Sequence, residues 1–361
     1  MSASTTSRNL LLAASIVLGL SACGPPRPLD TGAPLIDTDR PLSYLVWQKD
    51  VGRALEFPPV AAEGTWLVAS TGGKLIRLDG ETGEELWARK LPGTPSASPV
   101  LCGRMVVMTS DVPSGEVVGI ELDSGKEIWK WGRAVALPAG GDSLLVLSAR
   151  SGRVIRLDPR DGTEVWESHV SGAGWKAPLI LINQDLVVVP ARLDSLVALR
   201  LGDGERVWAQ EVGAWAQIGA EDTLLVAAGD DSSLVSLDPG TGAVTGWIRT
   251  GAMPAGPPVV RGGVVFLALR NGTVMVLETE RLQFVWRQTL DPPLVSPPLV
   301  HDIFVLQAAP RGHVFALDRW SGEKIGVLSH PEILLARPEA AGDELAVGGN
   351  KGTLAVYRRE R

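Results

Sequence analysis

The sequence has little cysteine and histidine, two residue types that many catalytic and metal sites use. It contains only two cysteines and four histidines among 361 residues. No nucleophile elbow, phosphate-binding loop or paired-carboxylate arrangement is found. The histidines lack metal-ligand spacing and fall at varied strand and loop positions: His169, His301, His313 and His330. We therefore predict no catalytic, cofactor-binding or metal-binding residues, and a protein that is not an enzyme.

Excess positive charge and disulfide pairs are also missing. The formal net charge is −7, and removal of a leader whose only charged side chain is Arg8 makes the mature chain about one unit more negative. A nucleic-acid binder needs a basic footprint, so nucleic acid is not an expected partner. If Cys23 is modified, no intramolecular disulfide is possible, and stability must come from burial alone.

Long apolar runs are restricted to the N-terminus. Arg8 precedes an apolar run, residues 10–20, that is too short to span a bilayer as a stable helix. The run ends in Leu20-Ser21-Ala22-Cys23, which resembles the lipobox of bacterial lipoproteins, in which the cysteine becomes the lipidated N-terminus. The alternative is a plain secretory leader that ends near a cysteine. We predict a signal peptide over 1–22, lipidated Cys23 with a flexible, proline-rich tether over 23–42, and one domain over 43–361.

One short phrase, residues 75–87, predicts a strand, a tight turn and a second strand. Ile76 and Leu78 alternate with polar neighbours, as in a half-buried strand. Asp79 can accept backbone hydrogen bonds in the turn, and Gly83 can adopt the positive φ that closes it. Trp87 follows four residues after the glycine.

The phrase recurs about every 40 residues, a period typical of β-propellers. Three units depart from it: the tryptophan is displaced to Trp247, Leu282 replaces the glycine, and the last unit has no tryptophan. A strand-start marker, mostly proline, keeps the same period. The tryptophan position of each unit is occupied by Trp47, Trp87, Trp129, Trp166, Trp208, Gly246, Trp286 and Gly326.

These repeats predict an all-β fold, an eight-bladed β-propeller of four-stranded antiparallel blades. Residues 44–51 resemble a fourth strand without a preceding turn, and residues 338–361 supply three strands without a fourth. We expect the N-terminal strand to complete the last blade and to leave no open sheet edge. Short continuous apolar runs, such as residues 186–189, suit strands buried on both faces. One tryptophan per blade is expected to pack between neighbouring sheets.

The phrase resembles the Asp-x-x-Thr-Gly-x-x-x-Trp repeat of the pyrroloquinoline-quinone-type propellers, over nearly all of residues 43–361. One branch of that superfamily contains dehydrogenases, and another contains non-enzymatic lipoproteins such as the BamB family. With the lipobox, the resemblance implies a BamB-like, lipid-anchored scaffold in outer-membrane β-barrel assembly, without a cofactor. It implies a BamA-like barrel partner, an outer-membrane location facing the periplasm, and a propeller that is monomeric within a complex.

Two alternatives remain open: a quinone-dependent oxidoreductase, and a lineage-specific envelope propeller that binds another ligand. The dehydrogenases are larger and often carry an adjacent cysteine pair, whereas Cys102 has no neighbouring cysteine and no matching Glu/Asn/Asp set is found. The two docking motifs of well-known BamB members, Leu-x-Leu-Arg-Gly and Asp-x-Asp-Thr-Thr-Pro, are absent from the corresponding loops, residues 172–178 and 213–217.

Those two loops contain a candidate partner-binding site. Each carries a tryptophan three residues before a strand start, and the turns between second and third strands, which should open on the same face, carry basic residues including Lys351. Aromatic and arginine side chains together are typical of interaction hot spots, and a basic cluster could receive a carboxylate-rich partner. The alternative is that the tryptophans plug the central funnel and the arginines are solvated. The candidate residues are Trp175, Trp215, Arg150, Arg192, Arg270 and Arg311.

Overall fold

The computed structural model describes residues 43–110, 115–132, 139–141, 144–148, 152–171, 180–182, 185–191, 195–213, 216–221, 224–279, 281–290 and 293–359. These residues form an all-β fold of short antiparallel strands. Within these ranges, no helix has the length and apolar character needed to cross a membrane. The predicted signal peptide, Cys23 and the tether lie outside the described residues.

The strands are, in chain order, β1 (Ser43–Asp50), β2 (Val60–Ala62), β3 (Thr65–Ser70), β4 (Lys74–Asp79), β5 (Glu85–Lys90), β6 (Val100–Cys102), β7 (Met105–Thr109), β8 (Val117–Glu121), β9 (Glu127–Trp131), β10 (Ala139–Gly141), β11 (Leu144–Ser148), β12 (Arg153–Leu157), β13 (Glu164–His169), β14 (Ile180–Ile182), β15 (Leu186–Ala191), β16 (Ser195–Arg200), β17 (Arg206–Glu211), β18 (Ala216–Glu221), β19 (Leu224–Gly229), β20 (Ser233–Leu237), β21 (Val244–Arg249), β22 (Val259–Arg261), β23 (Val264–Ala268), β24 (Thr273–Glu278), β25 (Phe284–Thr289), β26 (Leu299–Val300), β27 (Phe304–Ala309), β28 (His313–Asp318), β29 (Lys324–Ser329), β30 (Glu339–Ala341), β31 (Glu344–Gly348) and β32 (Thr353–Arg359).

Burial explains the two hydrophobic patterns in the sequence. Second strands such as β3 and β7 are buried along their whole length, because neighbouring sheets cover both of their faces. Fourth strands such as β13, β17 and β25 alternate between covered and exposed residues, because their outer face meets solvent. The hydrophobic core is therefore distributed between adjacent sheets, as a series of separate clusters.

The predicted eight-bladed ring that leaves no open sheet edge needs correction. Seven blades are continuous four-stranded units, β2–β5 through β26–β29, and the remaining sheet is a composite in the order β1-β32-β31-β30. None of these sheets is closed, because the first and last strand of each order are paired on one side only. Side-chain packing joins one sheet to the next, so the outer strands keep unpaired backbone groups at open edges.

The repeated tryptophan forms the main side-chain link between sheets. Its indole covers the turn between the third and fourth strands of the next sheet, and its Nε1–H donates a hydrogen bond to a carbonyl oxygen of that turn. The bonds run from Trp47 to Gly80 (2.7 Å), Trp87 to Leu122 (2.9 Å), Trp129 to Pro159 (2.8 Å), Trp166 to Leu201 (2.8 Å), Trp208 to Pro239 (2.8 Å) and Trp286 to Arg319 (2.9 Å). The predicted packing of tryptophan between neighbouring sheets is confirmed.

The turn glycine is required by the indole above it. At Gly242, φ is +74°, and an added Cβ would lie 2.6 Å from the ring of Trp208. A β-bulge next to the tryptophan, for example between Ala198 and Leu199 opposite Trp208, shifts the register of the fourth strand. Bulges change the direction of side chains. The glycine and the tryptophan of the turn phrase therefore serve contacts with the neighbouring unit.

One departure from the phrase is compensated by another. Gly246 occupies the tryptophan position of β21, and Leu282 occupies the glycine position of the next sheet's turn. Leu282 is 2% exposed, and an added Cβ at Gly246 would lie 3.5 Å from its Cδ1. The leucine therefore fills the space that the missing indole leaves. Trp247, the displaced tryptophan of the repeat, is instead 56% exposed, with Arg249 5.5 Å from its ring.

Candidate functional site

Different loops and turns lie at the two ends of the sheets. One end, the loop face, has the turns between second and third strands, such as residues 270–272, and the connections between sheets, such as residues 250–258. The other end, the turn face, has the turns between first and second and between third and fourth strands, such as residues 63–64 and 80–84. Partner binding was predicted for the loop face.

Backbone hydrogen bonds hold the loop face together. The first residue after a fourth strand donates its N–H to the carbonyl oxygen of a turn residue in the same sheet, as in Leu91 to Gly73 (2.8 Å) and Leu290 to Gly272 (2.9 Å). The turn in return donates to the incoming connection, as in Arg270 N–H to Met253 O (2.9 Å). The described connections are therefore fixed to the sheets, which favours a preorganised binding surface.

Two of the six predicted partner-binding residues can be placed. Arg270 is exposed on the loop face, and its Nε donates to Pro254 O at 3.3 Å, which orients the guanidinium. Arg311 is exposed in the equivalent turn of the next sheet. Trp175, Trp215, Arg150 and Arg192 lie outside the described residues, so the proximity of all six stays a prediction.

Acidic side chains also lie on this face, and they were not part of the prediction. Asp230 and Asp231 occupy the turn between β19 and β20, and both are exposed. Glu332 lies beside Lys351, whose backbone N–H donates to Glu332 Oε2 at 2.7 Å. The aspartates share the turn position of Arg270 and Arg311, and this position is the signal that could have found them. The described part of the loop face therefore carries both signs of charge.

A groove lies beside the end of β13. It lies between β13 and the sheet of β14–β17 and is partly open to solvent. Residues 168–171 form one wall at the loop-face end, and Ala191 and Ser195 form the other. The groove continues along β16 and β17 to Gly204 and Arg206. It offers a concave surface where an extended segment of a partner could lie.

The repeated aspartates on the turn face are structural. Asp79 Oδ1 accepts hydrogen bonds from Thr82 N (2.8 Å) and Thr82 Oγ1 (2.9 Å), and Asp238 accepts the same pair from Thr241 (both 2.7 Å). These bonds lower the pKa of both carboxyl groups. Asp158 accepts bonds chiefly from the side chain of Arg160, which lower its pKa to about 2. The interpretation of these aspartates as turn residues is confirmed.

Acid should therefore weaken the turns. A carboxyl group with a depressed pKa in the folded protein stabilises the fold above its unfolded value of about 3.9, and this contribution is lost as the pH falls towards the folded value. We expect the melting temperature to fall between pH 4 and about 2, and to fall less in the Asp158→Asn, Asp238→Asn variant. Thermal melts of both proteins across this pH range measure the fall in melting temperature. An unchanged slope in the double variant would contradict the assignment.

Metal and histidine chemistry adds no second candidate site. Within the described ranges, no group of three or more His, Cys, Asp or Glu side chains is arranged to hold a metal ion. His330 is buried, which lowers its pKa, and its Nδ1 accepts a hydrogen bond from Glu332 N at 3.1 Å. Cys102 is buried in β6. These contacts fit structural roles for both residues.

Comparison with known proteins agrees with this architecture. A family model described as "Outer membrane protein assembly factor BamB" matches residues 37–135, 113–254 and 230–361. A relative with that name from Burkholderia pseudomallei (strain K96243) is 24% identical over 347 residues, covering 77% of this chain and 89% of the relative.

Solved structures show the same fold. BamB from Moraxella catarrhalis has a TM-score of 0.73 at 15% identity, covering 88% of this chain and 99% of that chain. A europium-containing methanol dehydrogenase has a TM-score of 0.75 at 13% identity, covering 90% and 95%. At these identities the structural likenesses establish only the fold. The family match, which extends over most of the sequence, shows that this chain belongs to the PQQ-type repeat family described as outer membrane protein assembly factor BamB.

Proposed function

We propose that this protein is a non-enzymatic, lipid-anchored binding subunit in the assembly of outer-membrane β-barrel proteins. The observation that carries the proposal is the family match across residues 37–361. The relatives that share this match are named as assembly factors of the outer membrane. The proposed partner is an outer-membrane barrel protein of the assembly machinery, the proposed anchor is lipidated Cys23, and the proposed location is the periplasmic side of the outer membrane.

The position of the first strand supports the loop face as the partner-binding surface. Ser43 pairs with Arg359 at the turn face, where Arg359 N–H donates to Asp343 O at 2.9 Å. The segment from Cys23 therefore joins the propeller at the face opposite Arg270 and Arg311. An anchor attached there leaves the loop face unobstructed for a partner.

A crosslinked pull-down of the native lipoprotein from its own envelope tests the proposal. We expect recovery of an outer-membrane barrel protein together with other assembly lipoproteins, identified by mass. Recovery of an unrelated envelope complex would instead favour a lineage-specific role. Recovery of no partner, with a bound quinone spectrum after adding pyrroloquinoline quinone, would favour the oxidoreductase alternative.

Charge reversal on the loop face should weaken that interaction. We expect the Arg270→Glu, Arg311→Glu double variant to lower partner affinity at least about tenfold, or about 1.4 kcal/mol, because both arginines are exposed where the partner is proposed to dock. Arg281→Glu, Arg287→Glu makes the same change in net charge at exposed positions on the turn face and an outer strand. Binding of purified partner by each variant measures the effect, and equal losses in the two pairs would rule out a localised site.

A further inference from the structure

One junction between sheets has neither of the side-chain links found elsewhere. Six junctions use an indole, and the junction at Gly246 uses Leu282. The eighth junction joins β29 to the composite sheet. Gly326 occupies its tryptophan position, opposite Ala316, as Trp286 lies opposite Val276. The composite sheet also has no turn between third and fourth strands, because β32 and β1 come from opposite ends of the chain.

A groove is present at this junction. It is shallow and partly open to solvent on the turn face. Its floor is apolar and is formed chiefly by Phe304, Leu306, Ala316, Leu328 and Leu345. The three leucines are only half-buried, although they belong to or pack against the hydrophobic cluster of this junction. The groove thus leaves apolar surface partly uncovered at this junction.

The rim of the groove includes the point at which the N-terminal segment joins the fold. Ser43 and Arg359 both line it, and Leu42 precedes Ser43 in the sequence. Since consecutive Cα atoms are about 3.8 Å apart, Leu42 cannot be far from the groove. The guanidinium of Arg359 lies 5.9 Å from the ring of Phe304, and two acidic residues line the same opening, Asp343 and Glu344.

Sequence spacing indicates which residues of that segment correspond to the missing turn. Ser43 lies four residues before Trp47, as Gly83 precedes Trp87 and Leu282 precedes Trp286. Asp39 lies eight residues before Trp47, the position of Asp79 relative to Trp87. Residues 39–43 therefore have the spacing of a turn between third and fourth strands, although no third strand leads into them.

We propose that residues 35–42 dock in this groove and that Leu42 fills the place of the missing indole. The Leu282 junction shows that an aliphatic side chain from the next sheet's turn can do this. Leu42 is adjacent to the equivalent position, and it is tethered to the site, which raises its effective concentration. Docking shortens the free tether between the lipid and the propeller, and it is independent of the proposed partner.

Amide hydrogen exchange on the full-length lipoprotein in detergent tests this proposal. We expect residues 35–42 to exchange at least about tenfold more slowly than an unstructured chain, and residues 24–34 to be unprotected. Gly326→Trp should place an indole in the groove, as at six other junctions, and should remove the protection. Val327→Trp is the matched control, because Val327 is 42% exposed on the outer side of the same strand, and it should leave the protection intact.

Three outcomes would overturn the proposal. Exchange of residues 35–42 at the unstructured rate in the wild type would show that the segment does not dock. Protection that persists in a folded Gly326→Trp variant would place the segment elsewhere. Protection that disappears on dilution would assign the groove to a second copy of the chain. If Gly326→Trp does not fold, Leu42→Asp replaces it, with Leu29→Asp as control: the first should remove protection of residues 35–41, and the second should not.

Discussion

Replacing Trp208 with alanine is expected to lower the free energy of unfolding by about 3 to 5 kcal/mol, the range for large aromatic side chains removed from a core. Trp208 is 8% exposed and lies among apolar residues of two sheets, including Val188, Leu225 and Leu237. Its Nε1–H also donates to Pro239 O at 2.8 Å. The substitution removes buried apolar area, leaves a cavity over Gly242 and leaves a carbonyl oxygen without its donor.

The chain supplies a matched control for this experiment. Trp247, on the next fourth strand, is 56% exposed and contacts Arg249 only at the surface. Trp247→Ala is expected to change stability by no more than about 0.5 kcal/mol. Urea unfolding of both variants, followed by circular dichroism, makes the comparison. Similar losses from the two substitutions would show that burial between sheets does not determine the contribution of the repeat tryptophan.

The local chemistry of the turn explains why much of the fold could be predicted from the sequence. Asp79, Thr82 and Gly83 form a turn through bonds among near neighbours, so their spacing identifies the strands on either side. The signals for the buried second and third strands are also local, because each of these strands is a short apolar run in the sequence. The positions of strands such as β4, β16 and β28 follow from these signals, and the all-β propeller fold is confirmed.

The links between units could not be predicted in the same way. Trp87 follows Gly83 in the sequence but lies against Gly125 of the next unit, about 40 residues later. A single copy of the repeat does not show which glycine its indole will cover. For the same reason Gly246 and Leu282 read as two separate departures from the pattern, whereas the fold brings them into contact. The open sheet edges were also missed, because the repeat does not show that no ladder of strand pairing runs from one sheet to the next.

The candidate site was predicted less completely than the fold. Arg270 and Arg311 were assigned to the loop face from their turn positions, and both are exposed there. Asp230 in the equivalent turn was not predicted, because the hypothesis of a basic cluster rested on arginine and lysine alone. Surface residues have no burial requirement that fixes their type, so the repeat predicts their location and not their identity. The groove beside β13 depends on the spacing of two sheets, which no single strand reveals.

The pair Gly246 and Leu282 provides a direct test of how the sheets are joined. Leu282→Gly alone is expected to cost about 2 to 3 kcal/mol, because removal of a buried leucine outweighs relief of its φ of +51°. Gly246→Trp alone is expected to cost about 1 to 3 kcal/mol, because the indole meets Leu282 in a filled space. Together the substitutions rebuild the tryptophan and glycine arrangement of Trp208 and Gly242, so the double variant should lose less than the sum by at least about 1 kcal/mol.

A second pair of substitutions serves as the control for this coupling. Phe284 is 48% exposed on β25, two residues after Leu282, and Leu282→Gly with Phe284→Ala should give the sum of the two single losses within about 0.5 kcal/mol. Urea unfolding of the wild type and the five variants measures both cycles. If Gly246→Trp and Leu282→Gly were also additive, the leucine would not be occupying the indole's place. Positive coupling would instead establish that this site accepts either side chain, which is the physical premise for Leu42 filling the equivalent place beside Gly326.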